Sequence, residues 1–214
     1  NALIDVIQTQ RNILSENLGK DAAGIPQMFN PYKEALTLYR MGLNLPEDVT
    51  LVWPDDNFGY IRQLSNPEEQ KRSGGGGVYY HFSYWGIPND HLWLSSVSPT
   101  LTSYELCKAY DQNCKTIWIY NVGDIKPHEL ETQFGMDLAW DVEKWRPENA
   151  HDYPYYWALE IFGDEQLALR IAGLKKEYYR LAAAGKPEHI HAISYTETEM
   201  LQRLQDYKRL SEEA

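Results

Sequence analysis

The chain has 214 residues, 43% of them hydrophobic and 24% charged, the balance of an ordinary globular chain with one sizeable core and room for a helical appendage. A formal charge of −11 argues against nucleic acid or an anionic membrane as partner, since both want a basic face. No run approaches the ~18 apolar residues of a membrane-spanning helix, and an acidic ligand would need a local cluster of Arg, Lys or His.

Taken in order, residues 1–18 alternate polar and apolar side chains at helical spacing and lack the marks of a signal peptide. Leu3, Ile7, Leu14 and Leu18 share one face, and Gly19 is placed to stop the helix. Asn30 as cap with Pro31 at the first helical position predicts a second helix through Leu36 and Tyr39 to Gly42. Val49 to Trp53 is a short apolar and β-branched run without alternation, the pattern of a strand buried on both faces. Pro54 cannot donate to a ladder and is expected to end it. Asp55, Asp56 and Asn57 then stand just past a strand's carboxyl end, the edge on which barrels of alternating strands and helices build chemistry. Asp and Asn also satisfy backbone groups in ordinary turns, and that reading stays open for each of the three.

A long loop follows, with Arg62, a charged run from Glu68 to Arg72, and the glycines Gly74 to Gly77. Glycine runs cradle phosphate at a helix N-terminus, but this one leads into a strand. Close backbone packing or a flexible bend is the plainer reading. The second strand is expected over 78–84. Tyr79, Tyr80, Phe82, Tyr84, Trp85 and Trp93 cluster here with His81 and His91. Alternation places about half of the strand's rings in the core; the remainder suits a sugar, whose C–H faces pack on rings while its hydroxyls hydrogen-bond. Of the two histidines, His81 is the candidate ligand contact.

Thr102 and Glu105 have capping-box spacing for a helix to about Gln112, which gives Glu105 an ordinary explanation. Cys107 and Cys114 are seven apart, about 10 Å on a helix, too far for an undistorted disulfide, and are read as buried free thiols. Lys115 to Tyr120 is the third strand, followed by Asn121, Asp124, Lys126 and Pro127. Pro127 opens a helix with Glu129 and Glu131 in its first turn, where the helix dipole explains acidic residues. Strands alternating with helices imply parallel pairing with right-handed crossovers. The strand ends then carry three polar groups: Asp55-Asp56-Asn57, His81 with Tyr84, and Asn121 with Asp124.

Beyond Trp140 the character changes. Residues 141–154 form a polar connector, and from Tyr155 the pattern is helical. Leu167, Ile171, Leu174, Tyr178 and Leu181 make a stripe that ends at Gly185 and Pro187, and Thr196 with Glu199 caps a last helix. These stripes read as packing rather than a cofactor site. The expected division is a barrel region over 1–145 and a helical region over 155–214.

Several runs resemble glycoside hydrolase family 115: Trp53-Pro-Asp-Asp-Asn-Phe-Gly59, Arg62-Gln-Leu, Glu69-Gln-Lys-Arg-Ser-Gly-Gly75, Gly77-Val-Tyr-Tyr-His81 and Ile117-Trp-Ile-Tyr-Asn-Val-Gly-Asp-Ile-Lys-Pro127. The resemblance is good over roughly residues 1–160 and less distinctive in the final helices. It implies an α/β fold, part of a (β/α)8-type barrel with three parallel strands and flanking helices, followed by the start of a helical domain. It also implies an inverting xylan α-1,2-glucuronidase that removes glucuronic acid or its 4-O-methyl ether. Glucuronoxylan or its oligosaccharides would be the substrate, no cofactor is called for, and a periplasmic or secreted location follows. The chain is short for such an enzyme, whose amino-terminal strands and part of whose catalytic apparatus it lacks; the proton donor matches no carboxylate here.

The residues themselves agree on the main point. An inverting glycosidase needs two carboxyl groups, one acid and one base, and Asp55, Asp56 and Asp124 are the candidates. Tyr79, His81, Tyr84, Asn57 and Asn121 are candidate sugar contacts. A uronate needs a cation, and Arg62, Lys126 and His81 stand nearest in sequence. Two other readings are a metal-dependent hydrolase using His81, Asp55 or Asp56, and Asp124, and a structural fragment inert by itself, with exposed sheet edges that imply self-association.

Overall fold

A computed structural model describes residues 2–84, 94–187 and 195–214. Trp85, His91 and Trp93 lie outside the described residues. The described residues form one four-stranded sheet in the order β1 (Met28–Phe29), β2 (Thr50–Pro54), β3 (Gly76–His81), β4 (Ile117–Asn121). β1–β2 and β2–β3 pair in parallel, Leu51 facing Gly76 and Trp53 facing Val78. Thr116 N donates to Gly76 O, and Phe82 N to Asn121 O, so the numbers climb together and β4 is parallel too. The three expected strands are present, each shifted by one to three residues at its ends, and β1 is a fourth that was not anticipated from sequence.

Two compact units make up the chain. The first comprises Asn1–Asp56, Ile61–Tyr80 and Lys108–Ile119. Its core is the centre of the sheet, where Leu51, Val52, Trp53, Val78 and Tyr80 are wholly buried. Trp53 Nε1 donates to Ser65 Oγ at 2.8 Å, which supplies the partner a buried indole needs. Helix α1 (Ala2–Leu18) ends at Gly19, left-handed at φ +61°, as expected. Its buried side chain is nevertheless polar. Arg11 makes a bidentate pair with Asp48 at 2.7 and 3.1 Å, and that bond holds the Asp48 carboxyl below its usual range. Helix α2 spans Glu34–Arg40 and begins four residues after the expected cap. The delay has a cause, because the chain pairs with β2 as far as Phe29 and then turns through Lys33 at positive φ.

Pro54 is the last residue of β2, inside the strand and not beyond it. Thr50 N bonds to Gln27 O on the β1 side, whereas Leu51 N and Asp55 N bond to Gly75 O and Tyr79 O on the β3 side. Alternation therefore turns the Pro54 nitrogen toward β1, which stops opposite Leu51, so no ladder bond is lost.

The four glycines encode space. A Cβ on Gly74 would lie 2.5 Å from Val49 C, and one on Gly77 would lie 2.4 Å from Ile117 O. Only backbone without side chains fits there, which favours close packing over a phosphate loop.

The second unit comprises Asn57–Tyr60, His81–Cys107 and Tyr120–Ala214. Helix α3 (Pro99–Asp111) starts earlier than expected, with Ser98 Oγ accepting from Leu101 N. Thr102 is inside the helix and fully buried, so it is not the cap, and Glu105 is 4% exposed. Helix α4 (Glu129–Trp140) follows a short 3-10 turn over Lys126–His128 and buries Leu130, Phe134 and Leu138. Gly135 lets Phe82 and Tyr120, stacked at 5.0 Å, lie against this helix. Helix α5 (Tyr153–Phe162) carries Pro154 in its first turn and ends at Gly163, φ +65°. Helix α6 (Glu165–Ala183) is capped by Asp164, which accepts from Gln166 N and Leu167 N. Its buried line is Ala168, Tyr179, Leu181 and Ala182; of the expected stripe only Leu181 is fully buried. The Thr196–Glu199 capping box of α7 (Glu197–Glu213) is present as expected. Cys107 in this unit and Cys114 in the first are both buried and free.

Candidate active site

In the first unit, β2 delivers Asp55 and Asp56. Asp55 is 4% exposed, and its backbone N–H is tied to Tyr79 O at 3.1 Å. That bond extends the ladder one residue past the strand and fixes where the aspartate pair begins. Asp56 receives Arg62 Nε on Oδ2 at 2.8 Å, with the Arg62 side chain 67% exposed. Of the predicted residues, then, Asp55, Asp56, Arg62 and Tyr79 share this unit. Tyr79 is half-buried, edge-on to Tyr32 at 5.9 Å.

The other predicted residues fall in the second unit. Asn57 is left-handed at φ +71°, a conformation Asn tolerates better than most residues. His81 closes β3, is 2% exposed, and meets Tyr84 edge-to-face at 5.7 Å. Asn121 closes β4 and accepts Phe82 N at its carbonyl. Asp124 and Lys126 are exposed, beyond a turn that Gly123 makes at φ +68°. Among the described residues no three His, Cys, Asp or Glu side chains gather as a metal site.

Three further groups escaped the sequence reading. His128 is wholly buried, with Nδ1 2.8 Å from Asp124 O and Nε2 without a partner among the described residues. Glu131, assigned to the helix dipole, is 1% exposed and accepts hydrogen bonds from Ser95 Oγ and Tyr179 OH. The signal for Glu131 was present, since it lies three and seven residues before Phe134 and Leu138, on the helix's apolar face. Burial with Glu131 alongside pushes the Tyr179 phenol well above its ordinary range. The third is Lys186, between the two residues expected to stop the helix and not itself singled out. It borders a cavity of about 650 Å3 in this unit and is the one charged residue among the described lining. Lys186 Nζ donates to Phe58 O at 3.0 Å, and Tyr60, Tyr104, Ser96 and Ser98 supply rings and hydroxyls. Rings, hydroxyls and one ammonium suit a sugar that carries a carboxylate.

A parallel sheet with polar groups at its carboxyl ends is the arrangement of α/β enzymes that work on that edge. The family model for glycosyl hydrolase family 115 matches residues 1–189, and the chain belongs to that family. The match runs beyond the 1–160 stretch of the sequence resemblance. Among solved structures the chain is similar to one described as a novel family GH115 4-O-methyl-α-glucuronidase with specificity for decorated arabinogalactans. Identity is 42%, the TM-score is 0.88, and the match covers 99% of this chain. The chain spans 30% of the length of that one. A search of curated proteins matched none.

Proposed function

We propose that the chain is part of the catalytic region of an inverting glycoside hydrolase that removes α-1,2-linked glucuronate, or its 4-O-methyl ether, from a plant polysaccharide. Residues 1–145 are its barrel segment and 155–214 the start of a helical one. The observation that carries this reading is the Asp55-Asp56 pair at the end of β2 with Arg62 on Asp56. Asp55, Asp56 and Asp124 are the candidate acid and base. In an inverting reaction one carboxylic acid protonates the leaving oxygen while one carboxylate takes a proton from the attacking water. Asn57, Tyr79, His81, Tyr84 and Asn121 contact the sugar, and Arg62, with Lys126, meets its carboxylate.

Two polymers suit the reading. The family resemblance favours glucuronoxylan, and the specificity of the 42% identical relative favours decorated arabinogalactan. The test is hydrolysis of both polymers by the intact parent protein, followed by proton NMR. Early release of the uronate as its β-anomer is expected. Release of the α-anomer, or of no uronate from either polymer, would overturn the proposal.

A further inference from the structure

A second concave site is lined by none of the residues assigned above. It is a cleft of about 490 Å3 between the end of helix α4, the connector and helix α5, all within the second unit. Aromatic rings form its body. Trp145 packs edge-on to Tyr153 at 4.9 Å and to Tyr156 at 5.7 Å, and Trp157 completes the wall. Tyr156 is 53% exposed, so ring surface remains open to a ligand. The buried Trp145 Nε1, an obligate donor, has no hydrogen-bond partner among the described residues.

The polar lining decides what such a cleft takes. Asp137, Asp152 and Glu160 contribute three carboxylates against a single ammonium, Lys144. Asp137 accepts Tyr153 OH at 2.6 Å, and each carboxylate offers about four acceptor positions, so capacity for further donors remains. Sugar hydroxyls are such donors, and sugar C–H faces pack on exposed rings. A uronate would meet a net negative wall. Trp140, three residues beyond Asp137 on the same helix face, exposes 92% of its surface and offers another platform.

We propose that this cleft is a binding subsite for an uncharged sugar unit of the polysaccharide whose charged branch the enzyme removes. The inference rests on the proposed polysaccharide substrate only for its biological sense; the cleft's preference for neutral over acidic sugar follows from its own lining. It would hold the polymer while the uronate is processed elsewhere, lowering KM for long substrates and leaving short ones unaffected.

The experiment uses the intact parent protein, titrated calorimetrically with a neutral xylohexaose and a neutral galacto-oligosaccharide. Matching aldouronic acids and a minimal aldobiouronic acid serve as kinetic substrates. Saturable binding of at least one neutral oligosaccharide is expected. Tyr156→Ala and Asp152→Asn, both at exposed positions, should each weaken it roughly threefold to tenfold, the worth of one stack or hydrogen bond. KM for the polymer should rise with them, while kcat and KM on aldobiouronic acid stay unchanged. Absence of neutral-sugar binding by the wild-type protein, or unaltered binding by two variants that melt like the wild type, would overturn the proposal. Neutral-sugar binding that responds to the variants, in a protein that releases no uronate, would sink the catalytic reading and leave the subsite standing.

Discussion

Arg62 Nε donates to Oδ2 of Asp56 at 2.8 Å, so the cation proposed to meet a uronate is already engaged by one of the two proposed catalytic carboxylates. An arriving carboxylate would compete with Asp56 for the guanidinium. Binding and chemistry are thereby coupled through two side chains six residues apart. With the Arg62 side chain 67% exposed, the pair itself adds little to stability. In the intact enzyme, Asp55→Asn and Asp56→Asn keep size and most turn hydrogen bonds. At least one should lower kcat by roughly 10²- to 10⁴-fold with little change in melting temperature. Arg62→Ala should act mainly on KM. Near-normal turnover in both Asn variants with a lowered melting temperature would make these aspartates turn formers.

The glycines give opposite predictions from one substitution. Gly77→Ala drives a methyl against the Ile117 carbonyl, where backbone and not a flexible side chain must yield. Unfolding should become easier by about 1–3 kcal/mol, the usual cost of overpacking a core. Gly173 lies within helix α6 with nothing within 4 Å of an added Cβ. Gly173→Ala should stabilise by about 0.5–1 kcal/mol through helix propensity. Urea melts of the two variants decide both signs.

Alkaline pH should destabilise the chain in a definite window. Burial is the first cause that raises the phenols of Tyr39, Tyr120, Tyr153 and Tyr179, and Glu69, Asp137 and Glu131 add to it at Tyr39, Tyr153 and Tyr179. An unfolded tyrosine ionises near pH 10. Below that value both states keep the proton and the contribution is complete. Above it the unfolded chain binds fewer protons, so stability falls as pH rises. Burial likewise pushes the Cys114 thiol up to about 11, which should leave it slow toward thiol reagents at neutral pH. Phenolate absorbance during an alkaline titration should show these four tyrosines ionising only with loss of helical circular dichroism. Early titration of all sixteen tyrosines would contradict the prediction.

The 214-residue chain by itself should release no uronate from aldouronic acids, in contrast to the activity proposed for the parent. Among the described residues β1 is only two residues long and β4 begins with exposed Ile117, so both sheet edges keep unpaired backbone groups. Light scattering is expected to show self-association. Turnover by the purified chain would overturn the first expectation, and a monodisperse monomer the second.

The sequence was legible where one local cause dominates. Uninterrupted apolar runs gave the central strands, Gly19 the end of α1, and Thr196 with Glu199 the start of α7. It misled where two local signals competed: Thr102–Glu105 has capping spacing, but Ser98 and Pro99 start the helix earlier and carry Thr102 into the core. β1 was invisible because two residues carry no period, and only β2 alongside makes Met28–Phe29 a strand. Of the site, the aspartates at the end of β2 could be anticipated from strand logic. The burial of Glu131 was legible from its place on the apolar face of α4, but its partners Ser95 and Tyr179, 36 and 48 residues away, and the Phe58 carbonyl that Lys186 meets, 128 residues away, come together only in the fold.

The alternation around Pro54 works as an index mark. Odd-numbered nitrogens of β2 address β3 and even-numbered ones face the other way, and the proline occupies a slot where a missing hydrogen goes unnoticed. Deleting or inserting a single residue between Thr50 and Trp53 would move the proline into a slot that must donate, and would swap the sides toward which Asp55 and Asp56 leave the sheet. A slipped alignment thus carries two faults at once. The position of the carboxylates is set in whole steps, so this strand can drift in composition much more freely than in length.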